Sequence, residues 1–169
     1  MTNILITQEL VKKYFDYKDG FLYRKISPKK SKIGQRSSTL HKYKSGDRYS
    51  TSLLNKNYLS SRLIFLYHKG YLPEFVDHKN NDQLDDRIEN LREASREQNN
   101  SNVTSHKNCT SKYLGIHYHK RDLVWEAQIK TQKKQIYLGR FKIEKEAALA
   151  YNKAALKYHG EFANLNIIE

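Results

Sequence analysis

Cysteine is nearly absent: Cys109 alone stands in 169 residues. That excludes an intrachain disulfide and a cysteine-based zinc site. Apolar residues reach only 38%, so any core is small and much of the chain is solvated or partner-bound surface. No apolar run is long enough to span a bilayer, and no apolar signal segment follows Met1. The expectation is a cytosolic or nucleoid-associated protein with no membrane partner. Trp and Phe are scarce, at 1 and 6, against 13 Tyr. Tyr offers a ring to stack and a hydroxyl to wet, which suits an interface.

Negative charge is also short. Eighteen acidic residues face 31 basic ones, a net charge of +13, beyond what solubility needs. A polyanion is the implied partner. The distribution says more. Residues 24–62 carry 11 basic and 1 acidic side chains, residues 74–97 carry 4 and 8, and residues 112–142 carry 8 and 2. Two cationic flanks enclose an acidic island. A plain DNA-binding protein gains nothing from carboxylates between its phosphate contacts, whereas a metal-dependent nuclease does.

Thr7 can cap a helix with Leu10, Val11, Tyr14 and Phe15 on one face, running up to the Asp19-Gly20 turn signal. Phe21-Leu22-Tyr23 reads as a strand, 27–48 as basic loops or short hairpins, and Tyr49–Asn55 as another strand. Ser60 or Ser61 caps a helix carrying Leu63, Leu66 and Tyr67 inward and stopped by Gly70. The strand Phe75-Val76 then delivers Asp77 and His78. Ser95-Arg96-Glu97-Gln98 fits a capping box opening a helix with Asn99 and Asn102. After a polar stretch come three strand-like segments, Leu114–Tyr118, Val124–Lys130 and Lys134–Gly139. A helix over Glu144–His159 follows, with Ala147, Ala148, Tyr151, Ala155 and Tyr158 on one face.

Asp77, His78, Asn90 and Asn99 form the candidate catalytic set. Phosphodiester cleavage needs a base to deprotonate water and a cation to offset charge on the phosphorane and leaving oxygen. Histidine can be a neutral base near pH 7. Mg2+ prefers oxygen and keeps several waters, so the carboxylate of Asp77 and the amide carbonyl of Asn99 would suffice. Asn90 can brace the loop backbone or orient His78. One difficulty stands: neighbours on an ideal strand face opposite ways, so Asp77 and His78 serve one phosphate only if the strand ends or bends there. Asn80-Asn81-Asp82 is turn chemistry that permits this.

Asp77-His78-x-Asn80-x-Asp82, then Asp85-x-Arg87-Ile88-Glu89-Asn90-Leu91-Arg92, then Ser95-x-x-Gln98-Asn99-Asn100 resembles the HNH endonucleases, especially the phage and intron-encoded homing type. The resemblance runs from about Tyr58 to Asn102. It implies a ββα-metal finger with His78 as general base and Asp77 and Asn99 as ligands of one Mg2+ or Mn2+. Asn90 takes the loop-bracing position, and Asn99 is taken over Asn100 on the family's spacing. Asn81 stands where the family usually has Gly, Asp86 where it usually has Asn, and Ser61 where relatives often carry His.

In the C-terminal segment, alternation puts Ile116, Trp125, Ala127, Ile129, Ile136 and Leu138 against the helix. His117, His119, Gln128, Lys130, Gln135 and Tyr137 face away. Such a face suits groove entry: Lys and His meet phosphate or guanine, Gln pairs with adenine, and Tyr lies along sugar or a thymine methyl. Tyr113-Leu114-Gly115-Ile116, Trp125-x-Ala127-x-Ile129, Tyr137-Leu138-Gly139-x-Phe141, Glu146-Ala147-Ala148-x-Ala150-Tyr151 and His159-Gly160-x-x-Ala163-x-Leu165-Asn166 resemble the AP2 DNA-binding domain. That implies a sheet in the major groove. Leu114 and Tyr137 depart where plant members carry base-reading Arg and Trp.

The expectation is therefore an α+β protein. A ββα-metal (HNH) nuclease domain with a basic N-terminal extension covers 1–105, a linker 106–111, and a three-stranded antiparallel sheet plus one helix (AP2-like) 112–166. Arg62, Arg87, Arg92 and Arg121 join the outer-face residues as DNA contacts. Double-stranded DNA is the expected partner, one divalent ion the cofactor, with no small-molecule cofactor. Monomer or homodimer both fit, in the cytoplasm of a bacterial or phage-infected cell. The alternative is a non-catalytic DNA-binding regulator with a vestigial HNH domain.

Overall fold

The computed structural model describes residues 5–26, 32–43, 46–101, 110–131 and 134–168. The expected Asn102 and most of the linker, 106–109, lie outside them. Two compact units form, Met1–Ala94 and Ser95–Glu169. Among the described residues no helix is long and apolar enough to cross a membrane.

In the first unit, the Thr7 hydroxyl accepts the Leu10 N–H at 3.2 Å and caps α1 (Gln8–Tyr14). The helix stops earlier than expected. Phe15–Lys18 is strand β1, paired antiparallel with β2 (Phe21–Arg24). Phe15 and Tyr17 alternate with exposed Asp16 and Lys18, and this period of two prevails over the helical one. Asp19 and Gly20, at φ 48° and 82°, make the two-residue turn whose twist matches a hairpin.

Strands β3 (Ser38–His41), β4 (Arg48–Leu53) and β5 (Lys56–Leu59) form an antiparallel sheet in that order. Helix α2 (Ser60–Lys69) follows without a loop. Its cap is Leu59, not Ser60 or Ser61, and no side chain bonds there. The Ser60 hydroxyl is buried against Thr51 Oγ1 at 2.9 Å, so it serves the sheet instead. Gly70, at φ 83°, ends the helix as expected, its N–H donating to the Leu66 carbonyl. Val11, Phe15, Leu22, Leu53, Leu63, Ile64, Phe65, Leu66 and Leu91 make the core. Packed on this core, β6 (Phe75–His78) pairs with β7 (Leu91–Ala94), setting Asp77 opposite Arg92 and His78 opposite Leu91.

The second unit opens with α3 (Arg96–Ser101), entered through the expected capping box. Ser95 N–H donates to Gln98 Oε1 at 2.8 Å, and Gln98 N–H to Ser95 Oγ at 3.2 Å. Strands β8 (Ile116–His119), β9 (Val124–Lys130) and β10 (Gln135–Phe141) form a sheet in the order β10-β9-β8. Helix α4 (Glu144–His159) packs its Ala147, Ala148, Tyr151, Ala154 and Ala155 against the sheet. Tyr158, expected on that face, lies in the last turn and is exposed; Ala154 is buried instead. Thr110 and Ser111 both bond to residues of this unit. Thr110 Oγ1 accepts the Tyr118 N–H, and the Ser111 hydroxyl donates to Glu144 Oε1 at 2.6 Å.

Two departures in the strands share a cause. Strand β8 starts at Ile116 rather than Leu114 because Gly115 turns at φ 74°. Strand β10 runs on to Phe141 through a bulge between Tyr137 and Gly139. A side chain on Gly115 would drive into the Gln128 carbonyl and the Tyr151 ring. Gly115→Ala should therefore destabilise the second unit by on the order of 3 kcal/mol. Unfolding followed through Trp125, the single tryptophan, measures it; an unchanged midpoint would refute the account.

Candidate active site and nucleic-acid interface

The segment 79–90 between β6 and β7 carries too little apolar surface to be held by burial. Its own amides hold it. Asn90 Oδ1 accepts the Asn80 N–H at 3.0 Å, while Asn90 Nδ2 donates to the Asp85 carbonyl at 2.8 Å. The Asn90 carbonyl also accepts the Lys79 N–H at 2.9 Å. Asn90 thus bonds the loop backbone at both of its ends. Asn80 Oδ1 accepts from Asp82 N–H, and Asp82 Oδ1 from Leu84 N–H. Asn81, at φ 62°, adopts the left-handed conformation that Asn tolerates. From outside the loop, the Tyr17 hydroxyl accepts the Ile88 N–H at 3.1 Å.

Asp77 is buried in β6, and both Nε and Nη2 of Arg92 meet its Oδ2 at 2.8 Å. His78 is the last residue of the same strand, and its Nε2 lies 2.9 Å from Asp86 Oδ1. The two neighbours thus have different partners, one across the ladder and one in the loop. Asp86 is almost wholly buried, which pushes its carboxyl up, while the bond to His78 pulls the other way. Asp85 faces the opposite situation. Arg87 Nε and Nη2 grip its two oxygens at 2.7 Å each and hold its carboxyl down to about 2, against the opposing effect of burial.

Among the described residues, no group of three or more His, Cys, Asp or Glu side chains is placed to hold a metal. The expected donors are fewer and all oxygen: the Asp77 carboxylate and the Asn99 amide. That donor set suits a hard ion that keeps waters and takes substrate oxygens. Asp77 Oδ2 is, however, already shared with Arg92. Asn99 sits in α3, its N–H donating to the Ser95 carbonyl.

The arginines expected on DNA have protein partners. Arg62 donates to the Glu74 and Pro73 carbonyls at 3.0 and 3.1 Å. Arg92 is bound to Asp77 and Arg87 to Asp85, although the Arg87 side chain remains 63% exposed. On the outer face of the C-terminal sheet, His117, His119, Lys130, Gln135 and Tyr137 are exposed as expected. Gln128 is half-buried and accepts a hydrogen bond from Gln135 Nε2. Arg121 and His119 both approach Asp122, at 3.3 and 3.6 Å.

Sequence reasoning missed three groups. Asp86 figured there only as a replacement for Asn. Composition assigns Arg92 to DNA rather than to Asp77; its place opposite Asp77 follows only from the β6–β7 register. Arg140 was not placed on the outer face because plain alternation puts it inside. The bulge at Gly139 reverses the phase, and Arg140 Nη1 donates to Asp122 at 3.0 Å with Glu126 at 3.6 Å from its Nε. Gly139 was the available signal.

Residues 58–101 match the HNH endonuclease family model. A stretch of 59 residues, 35% of this chain, is 39% identical to the AP2-like ethylene-responsive transcription factor TOE2 of Arabidopsis thaliana, covering 12% of that protein. A stretch of 57 residues is 40% identical to APETALA2-like protein 2 of Oryza sativa subsp. indica, covering 13% of it. The chain thus spans a small fraction of the length of these curated relatives. Together the matches support an HNH endonuclease segment joined to an AP2-like DNA-binding segment.

Two measurements check the electrostatics. Arg92→Met leaves the buried Asp77 carboxylate without its guanidinium and should cost about 3 kcal/mol in urea unfolding. Asp85, whose carboxyl is held down to about 2, contributes stability that is present above the ordinary carboxylate range and lost as pH falls through that value. Asp85→Asn should therefore show a shallower acid decline of stability between about pH 4 and about 2. Parallel acid curves for wild type and variant would contradict it.

Proposed function

We propose that this protein is a metal-dependent DNA endonuclease of the HNH type, akin to the phage and intron-encoded homing enzymes. The reading gives it a nuclease body over 1–105, an AP2-like module over 112–166 and a linker between. The observation that carries it is His78 at the end of β6, tethered to Asp86 beside a loop braced by Asn90. His78 takes the proton from a water that attacks a phosphodiester in line. Asn90 keeps the loop backbone in the form that presents His78. Asp77 and Asn99 would hold one Mg2+ or Mn2+. Bound there, such an ion would supply charge stabilisation to the phosphorane and the 3′-oxygen leaving group. The ends produced are 5′-phosphate and 3′-hydroxyl.

Duplex DNA is selected by the basic N-terminal region and the outer face of the C-terminal sheet. His117, His119, Arg121, Gln128, Lys130, Gln135 and Tyr137 are the contacts there, and Arg62, Arg87 and Arg92 those of the nuclease body. A monomer nicks, and a symmetric dimer cuts both strands. The work is done in the cytoplasm, with no small-molecule cofactor.

A second reading has its own support. Arg92 occupies Oδ2 of the carboxylate that would serve the metal, as a DNA-binding regulator with a vestigial nuclease segment would tolerate. Plasmid nicking with Mg2+, Mn2+ or chelator separates the two. On the nuclease reading, His78→Ala binds DNA normally and cuts about 100-fold more slowly. Asp77→Asn loses rate and shifts the metal dependence. Lys130→Ala weakens binding more than the chemical step. Equal loss of binding in all three would overturn these roles.

A further inference from the structure

The nuclease reading uses His78 but leaves the buried Asp86 without a task, and the inference here rests on that reading. Asp86 is 3% exposed, and a carboxylate is not placed there for solubility. Its Oδ1 lies 2.9 Å from His78 Nε2, and the His78 side chain is itself only 13% exposed. The loop supplies a reason for the precision. Asn90 clamps both Asn80 and the Asp85 carbonyl, so the chain entering Asp86 and the chain leaving His78 are held by one side chain. Asp85, one residue earlier, is fixed by Arg87 and Asn80, so it does not compete for the imidazole.

We propose that Asp86 is a positioning residue that accepts the Nε2–H of His78, so that the imidazole presents Nδ1 as its basic nitrogen. The choice follows from hydrogen-bond chemistry. The bond to His78 favours the ionised form of Asp86 against the effect of burial; in that form the carboxylate only accepts, so the ring nitrogen facing it carries the hydrogen. An amide at the same place could accept from Nε2–H or donate to a bare Nε2, and would leave the tautomer unassigned. Fixing the tautomer and the ring plane is what a buried carboxylate contributes to a histidine base. Asp86 touches neither substrate nor reacting water; it acts only through His78.

The test combines a spectroscopic and a kinetic reading on the full chain. Imidazole 15N shifts of the free protein at about pH 8, above the ordinary imidazole range, should show His78 in the Nε2–H tautomer. Asp86→Asn keeps size and loop packing and should give a mixture of tautomers. Its DNA affinity and thermal midpoint should match wild type, while its single-turnover cleavage falls about tenfold; Asp86→Ala should fall about 100-fold. In the His78→Ala background, Asp86→Asn should cost nothing further. An Nδ1–H tautomer in the wild type, or full cleavage by Asp86→Ala, would overturn the proposal. If wild-type protein cuts no DNA with Mg2+ or Mn2+, the nuclease reading fails, and the 15N tautomer alone decides what Asp86 does.

Discussion

The Asn90 carboxamide carries the organisation of the first unit's polar end. Its oxygen takes the Asn80 N–H and its nitrogen gives to the Asp85 carbonyl. A segment of this polarity gains little from burial, and each backbone group it leaves unpaired near the core costs free energy. One amide satisfies a donor and an acceptor from opposite sides of the loop. An acid there would lose the donor, and a lysine the acceptor. With the loop so closed, Asp86 returns to His78 although eight positions separate them.

The same closure changes the meaning of the acidic island. By count, residues 74–97 present 8 acids to 4 bases, a field that would repel a phosphate backbone. In the fold, the central carboxylates are answered internally: Asp77 by Arg92, Asp85 by Arg87, Asp86 by His78. The island is therefore less of a negative surface than its composition suggests. Two of the partners, Arg92 and Arg87, are among the arginines expected on DNA.

What could be read from sequence was what is decided within a few residues. The Thr7 cap, the Gly70 stop, the Ser95–Gln98 box and the whole of α4 are local events, and each was legible. Phe15 fits both the helical face of α1 and the alternating face of β1, and the Asp19-Gly20 turn decides between them. Ser60 looked like a cap; only the neighbouring strand, through Thr51, shows why its hydroxyl is elsewhere. Arg92 and Asp86 depend on register and loop closure, which no window of sequence contains. At the site, residue types and spacing named His78, Asp77 and Asn90, but their partners had to come from the fold.

The C-terminal sheet shows how one residue can regrade an interface. The bulge at Gly139 brings Arg140 to the outer face beside Glu126 and Asp122, so that end carries two carboxylates and three partnered cationic or ionisable groups. At the other end, Lys130 is exposed and pairs in register with Gln135, next to the Gln128–Gln135 amide contact and exposed Tyr137. Cations therefore stand at both ends, Lys130 at one and Arg121 and Arg140, set against the Asp122 and Glu126 carboxylates, at the other. Alternation alone already puts Glu126 on this face with Gln128 and Lys130, and the bulge adds Arg140 beside it. The observed face thus differs along its strands, with ion pairs at the Asp122 end and an amide contact at the Lys130 end.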